Sequence, residues 1–274
     1  MLRGLYTATT AMLANSRKMD VITNNLTNVE TAGFKADTMT TRSFRDMLIS
    51  RIYDPSVYQY SQVGPLNLGI HVDQVFTDFV EGSFEETRNA TDMAIVGDGF
   101  FVVEYIPKGL SEEEEDDVEP EERYTRAGNF ALDGEGYLVT PNGYYVQGEG
   151  GPILIGTADF IIDRDGTVRV GDEVIDRLRV VRFEDNTVLR KQGDTLYSVY
   201  AAADEWGDLE PVAEPEDLDE EIDIRQGFLE ASNVDIAREM VRMMETYRSY
   251  EINQRVINMF DETLRISVND IAKF

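Results

Sequence analysis

The sequence of 274 residues contains no cysteine and a single histidine, His71. Without thiols there can be no disulfide, no thiolate nucleophile and no cysteine-ligated zinc. One imidazole excludes any metal centre built on two or more histidines. A Ser-His-Asp triad would have to use His71, which falls in a predicted strand with no nucleophile elbow beside it. Long apolar runs are also missing: no stretch approaches the roughly 18 residues that would suggest a membrane-crossing helix. The opening Met1-Leu2-Arg3-Gly4-Leu5 does not lead into an apolar block with a small-residue cleavage site, so a cleaved secretory signal is not expected. The one tryptophan, Trp206, sits in an acidic stretch and offers no sugar-stacking platform.

Basic residues are scarce, 25 against 53 acidic ones, for a net charge of −28. The placement of that charge is more informative than its size. Residues 1–48 hold six basic and four acidic side chains, and residues 228–274 hold six basic and eight acidic, so the two ends cancel and the whole −28 lies between them. Neutral ends can pack against copies of themselves, whereas a strongly acidic middle repels its like and faces water. Nucleic acid is excluded as a partner, because its phosphates would be repelled.

The clearest periodicity is at the C-terminal end. Ser232, with Asp235 three residues on, resembles a capping box. Ile236, Met240, Met243, Tyr247, Tyr250, Ile257, Leu264, Val268 and Ile271 then recur at alternating steps of four and three, broken only by Gln254 and Asp261. Neither Pro nor Gly interrupts residues 232–274, so the pattern predicts a helix of about 38 residues, roughly 57 Å long. A seam with a 3.5-residue repeat is the coiled-coil pattern and needs a cover. The N-terminal end supplies a comparable stripe of Leu2, Leu5, Met12, Met19 and Leu26, with Thr9, Ser16 and Thr23 between them and Leu13 and Ile22 flanking. Asn24, Asn25 and Asn28 favour caps and turns over helix interiors, so this helix should finish between Asn28 and Gly33.

The middle reads as β-structure. Phe100-Phe101-Val102-Val103 is a short apolar strand, followed by extended stretches at 124–130 and 137–140. Asn142-Gly143 and Asp165-Gly166 each divide two apolar runs, which is the hairpin signature. Residues 36–90 are mixed, with a predicted short helix over 44–52 and a strand over 70–75. Residues 112–122 hold nine carboxylates in eleven positions, too self-repelling to pack, so a flexible loop is expected; the acidic stretch 204–223 reads as a second loop or edge. The fold class is therefore α+β. A discontinuous helical domain (1–35 and 228–274) encloses a connector (36–90) and an inserted, mainly antiparallel β-domain (91–227).

No credible chemistry emerges. Close carboxylate pairs are unavoidable among 53 acidic residues, so a glycoside hydrolase is not singled out. Asp163-Arg164-Asp165-Gly166 begins like a calcium loop but lacks the terminal bidentate carboxylate, and a hairpin turn explains it. Gly97-Asp98-Gly99 lacks the third glycine and the following helix of a dinucleotide site. No cofactor or metal is expected.

Four separated blocks carry a family resemblance. Leu5-Tyr6-Thr7-Ala8, followed by Asn24-Asn25-Leu26-Thr27-Asn28-Val29-Glu30-Thr31-Ala32-Gly33-Phe34-Lys35, resembles the N-terminal signature of flagellar rod and hook proteins. Ala94 to Phe101 and Tyr124-Thr125-Arg126-Ala127-Gly128-Asn129-Phe130, continued by Gly136 to Thr140, resemble internal motifs of the longer members. Gln226 to Asp235 and Tyr247-Arg248-Ser249-Tyr250-Glu251 resemble the entry to, and interior of, the family's terminal helix. Length and motifs are most similar to the proximal and distal rod members called F and G, in particular those of Gram-positive bacteria. The resemblance implies a non-enzymatic axial subunit of the basal body, exported by the flagellar type III apparatus and assembled with copies of itself and with neighbouring rod and hook proteins. Ring or cell-wall components are further candidate partners for its outer surface. The residues expected at the assembly interface are the two apolar stripes together with Asn24, Asn25, Asn28, Gly33 and Phe34. A hook or hook-cap subunit, a secreted carboxylate hydrolase and a cytoplasmic coiled-coil adaptor are the rival readings.

Overall fold

The computed structural model describes residues 2–50, 62–105, 121–157, 159–203, 209–211, 215–218 and 222–271. Helix α1 spans Leu2–Thr27, carries Asn24 and Asn25 in its last turn and stops just before Asn28. The chain then turns through a Thr31 N–H bond to the Asn28 carbonyl (3.2 Å). Helix α2 spans Ile236–Ile266, 31 residues, and continues into one π-helical segment, Ser267–Ile271. It is shorter at its start than the sequence suggests. Asp235, not Ser232, is the N-cap, its side chain accepting from the Arg238 N–H at 3.2 Å. Ser232 instead closes a local turn, its hydroxyl accepting from the Val234 N–H. Between them the Asn233 side chain bonds the backbone of Ala36 and Asp78.

Packing divides the chain into two units: Met1–Thr27, Asp37–Phe76 and Asp235–Phe274 form one, and Asn28–Ala36 and Thr77–Val234 the other. In the first unit α1 and α2 pack against each other. They run antiparallel: Gly4 lies so near the Phe260 ring that a Cβ there would fall 2.5 Å from it, while Met19 and Thr23 neighbour Met243 and Tyr247. The same unit holds two antiparallel ribbons, Asp37–Ser43 with Ile70–Thr77, and Met47–Ser50 with Gln62–Leu66. The second ribbon replaces the short helix expected over 44–52. Pairing of Met47, Leu48 and Ile49 with Leu66, Pro65 and Gly64 overrides the local pattern, and residues 51 and 52 lie outside the described residues. His71 sits on its predicted strand with its ring 4.8 Å from that of Phe44.

In the second unit the central sheet is antiparallel, in the order 189–192, 196–199, 121–125, 100–105, 145–148, 138–139, 131–132. Phe100–Tyr105 is buried on both faces. Phe101 and Val103 enter one apolar cluster with Phe130, Leu138 and Val146, while Phe100 and Val102 enter another with Tyr124, Phe183 and Tyr197. This period-two division is what a central strand requires. Both predicted hairpins form. Val139 pairs with Tyr145 across Asn142-Gly143, and Ile161 and Ile162 pair with Arg169 and Val168 across Asp165-Gly166. The acidic stretches are corrected in part. Residues 112–120 lie outside the described residues, but Glu121 and Glu122 belong to the strand Glu121–Thr125 and pair with Tyr105 and Glu104. Within 204–223, Leu209–Pro211 and Glu216–Asp217 form edge strands; the latter is held by Arg179 bonding Asp217 at 2.8 Å.

Candidate functional site: two helix faces and a buried ionic junction

On α2 the side chains that recede from solvent include Glu239, Met243, Thr246, Tyr250, Asn253, Ile257, Phe260 and Leu264, at alternating steps of four and three, with Arg242, Glu251 and Val256 beside them. Half of the predicted seam is therefore in place: Met243, Tyr250, Ile257 and Leu264 are covered. The other half is displaced by one position, so that Thr246, Asn253 and Phe260 are covered where Tyr247, Gln254 and Asp261 mark the seam in the sequence. Ile236, Met240, Tyr247 and Val268 remain 45, 49, 54 and 65 % exposed. The side chain of Ile271, like that of Leu2, lies outside the described residues.

On α1, Leu5, Met12, Met19 and Leu26 are half-buried, and the fully buried positions are Ala8, Ala14, Ile22 and Asn25. Ile22, read as flanking the stripe, is more deeply buried than the stripe itself, and Leu13 is exposed like Tyr6. Gly4, which has no side chain to hold the Phe260 ring away, is one place where the two helices approach closely. Asn25 is buried because its amide brackets one residue, donating to the Asp37 carbonyl at 2.8 Å and accepting from the Asp37 N–H at 2.9 Å. Asn24 is exposed, and Asn28 half-buried. Between the helices an open hollow of about 330 Å³ is lined by Met19, Thr23, Met243, Met244, Tyr247 and Arg248.

In the second unit, Gly33, Phe34 and Lys35 are buried. The Lys35 ammonium, with no exposed surface, donates to Glu230 Oε1 at 2.5 Å and to the Val80 carbonyl at 2.8 Å. Glu230, 1 % exposed, also accepts from the Gly82 N–H at 3.0 Å, and its Oε2 lies 3.7 Å from Arg126 Nη1. Arg126 in turn donates to the Gly97 carbonyl at 2.6 Å. Burial holds the Lys35 ammonium below the ordinary lysine range, and the attraction of Glu230 only partly offsets this. Lys191 stands 3.6 Å over the Phe34 ring and donates to the Lys35 carbonyl at 2.9 Å. Gly33 donates its N–H to the Glu230 carbonyl at 2.7 Å, with φ at +67°. A Cβ on Gly33 would lie 2.4 Å from Ala127 N, so only glycine fits.

Three of the sequence blocks noted above therefore meet in one place: Gly33-Phe34-Lys35, Arg126-Ala127, and Glu230 with Asn233. Of these, only Gly33 and Phe34 were marked in advance. Lys35, Arg126 and Glu230 carry no local signal beyond being charges within apolar and turn-forming stretches. Among the described residues no group of histidine, aspartate and glutamate side chains is arranged to hold a metal ion, and no helix is long and apolar enough to cross a membrane.

Terminal helices with large apolar side chains left outside, joined to a β unit knotted by buried ions, mark the class of structural assembly proteins. Comparison with known proteins agrees. Residues 5–35 match the family described as flagella basal body rod protein, residues 94–170 the flagellar hook protein FlgE/F/G D1 domain, and residues 225–271 the flagellar basal body rod FlgEFG protein C-terminal family. The chain is 30 % identical to the flagellar hook-basal body complex protein FlhO of Bacillus subtilis, over the whole of both chains. It is 33 % identical to the flagellar basal-body rod protein FlgG of the same organism, covering 98 % of this chain and 99 % of that one. To FlgG of Buchnera aphidicola subsp. Schizaphis graminum it is 32 % identical, covering 97 and 98 %. The chain belongs to the flagellar basal-body rod protein family, of the F/G type.

Proposed function

We infer that this chain, a structural subunit of the flagellar basal-body rod, works mechanically and catalyses nothing. In this reading its terminal segments, 1–35 and 228–274, form a discontinuous polymerisation domain. They pack against the same segments of neighbouring copies and of other rod and hook proteins, building a tube that transmits torque. The connector and the β-rich segment 91–227 stand outside that tube, where ring or cell-wall components are the available partners. Export through the flagellar type III apparatus completes the reading.

One observation carries it: α2 leaves Ile236, Met240, Tyr247 and Val268 largely uncovered although they continue an apolar seam. An uncovered stripe of this kind marks an interaction surface. The hollow beside Met19 and Tyr247 offers a neighbour's side chain a seat. The test is a Met240→Asp, Tyr247→Asp double variant. Both side chains are exposed, so circular dichroism and melting of the purified chain should match the wild type. Cells carrying the variant should be non-motile and lack complete rods. Normal motility would overturn the assignment.

A further inference from the structure

We propose that the second unit carries a binding cleft for a neutral, hydroxyl- and amide-rich oligosaccharide, a site independent of the helix faces. The cleft has a volume of about 570 Å³, within the roughly 300–1,000 Å³ range of small-molecule sites. Tyr105 and Tyr144 form one wall, with ring centroids 5.0 Å apart and planes tilted by 47°. Arg123 stands over Tyr105, its guanidinium carbon 3.2 Å from the ring centroid. Asn129, Gln192 and Asp194 contribute polar lining.

Arg123 is the residue that points to a ligand. It is more than nine-tenths buried, and its Nη2 donates to Glu121 at 3.3 Å, yet its Nε–H has no acceptor. A buried donor left unpaired carries an uncompensated desolvation cost, which a ligand oxygen would recover. The charges decide the ligand's class. Among the described residues Arg123 is the one cation lining the cleft and is already balanced by Glu121, Asp194 adds a carboxylate, and the chain carries −28 overall. Phosphorylated or polyanionic ligands are therefore repelled. Tyrosine faces suit the C–H faces of sugar rings. Amide side chains donate to and accept from hydroxyl and acetamido groups, and the Arg123 Nε–H is a donor without an acceptor in the wall of the cleft.

The probe is chitotetraose, the uncharged tetramer of N-acetylglucosamine, titrated into the full chain and followed by saturation-transfer NMR. Saturable binding is expected, weakened about tenfold or more by Tyr144→Ala and by Arg123→Met, with no competition from inorganic phosphate or oligogalacturonate. Should Arg123→Met lose its fold on melting, Tyr144→Ala and Gln192→Ala decide alone. No saturable binding, binding indifferent to these substitutions, or displacement by phosphate would each overturn the proposal.

Discussion

Replacing Lys35 with methionine isolates the energetics of the buried junction. The substitution preserves most of the side chain's length and apolar stem, so it opens little cavity, and its effect is electrostatic. Glu230 would keep the Gly82 N–H at 3.0 Å and Arg126 at 3.7 Å but lose the 2.5 Å ammonium contact, while remaining 1 % exposed. An uncompensated buried carboxylate of this kind costs about 3–5 kcal/mol. In a chain of this size that lowers Tm by roughly 10 °C. Adding Glu230→Gln to Lys35→Met retains an acceptor for Gly82 and removes the orphaned charge, so the double variant should recover about 1–3 kcal/mol of the loss. Guanidinium unfolding followed by tyrosine fluorescence and near-ultraviolet circular dichroism reads the second unit, where these residues lie. A single variant within about 1 kcal/mol of wild type, or a double variant whose loss is the sum of the two singles, would refute the view that these groups are electrostatically coupled.

The same junction gives a pH dependence of definite sign. Burial holds Lys35 below its ordinary value of 10.5, so between the folded and unfolded values the unfolded chain binds more protons. Stability contributed by this group then rises with pH. The wild-type advantage over Lys35→Met should grow as pH climbs toward 10.5, and an unchanging difference would show that the ammonium is not desolvated. Gly33→Ala places a Cβ against the Ala127 backbone at a φ of +67°, which should cost about 1–3 kcal/mol, measured by chemical denaturation; a neutral result would mean that this approach is not tight in solution. Asn25→Ala removes both bonds to Asp37 and should destabilise by about 1–3 kcal/mol, with hydrogen exchange at the Asp37 amide accelerating; unchanged exchange would argue against the bracket.

Much of the architecture is legible in the sequence because it rests on local patterns. The C-terminal helix follows from uninterrupted periodicity, and the hairpins follow from Asn142-Gly143 and Asp165-Gly166, where left-handed backbone is needed at one residue. The rotation of α2 is not legible. Hydrophobicity selects the largest apolar side chains, Met240, Tyr247 and Val268, yet Thr246 and Asn253 are the ones covered instead. When a helix carries more apolar surface than one partner can cover, periodicity cannot say which stripe meets its own chain. The helix expected over 44–52 fails for a different reason: its residues pair with a strand that begins at Gln62, a non-local contact that local propensity does not report. Lys35 and Glu230 stand 195 positions apart, so nothing near either residue announces the pair.

The exposed helix surface also constrains how assembly proceeds. On α1 and α2, Tyr6, Leu13, Ile236, Met240, Val241, Met244, Tyr247, Ile252, Met259, Ile266 and Val268 remain outside. Full burial of such a side chain contributes about 1.5–3 kcal/mol, and these are already about half covered, so each offers on the order of 1 kcal/mol more. They do not lie on one line. Ile252, Met259 and Ile266 recur every seven residues on the side of α2 away from Ile257 and Leu264, whereas Met240 and Tyr247 flank the covered face. A single neighbour can therefore cover only a few of them, gaining on the order of 3–4 kcal/mol, and association costs about 4–15 kcal/mol in lost freedom. One contact does not hold, but a subunit touched from several sides gains the whole set while losing its freedom once. The acidic middle adds repulsion that a pair of copies feels without compensation. The purified chain should accordingly sediment as a monomer at micromolar concentration, and associate only where a growing end offers several faces together. A stable dimer in sedimentation equilibrium at that concentration would show that one face suffices, and would overturn this account of how the tube grows.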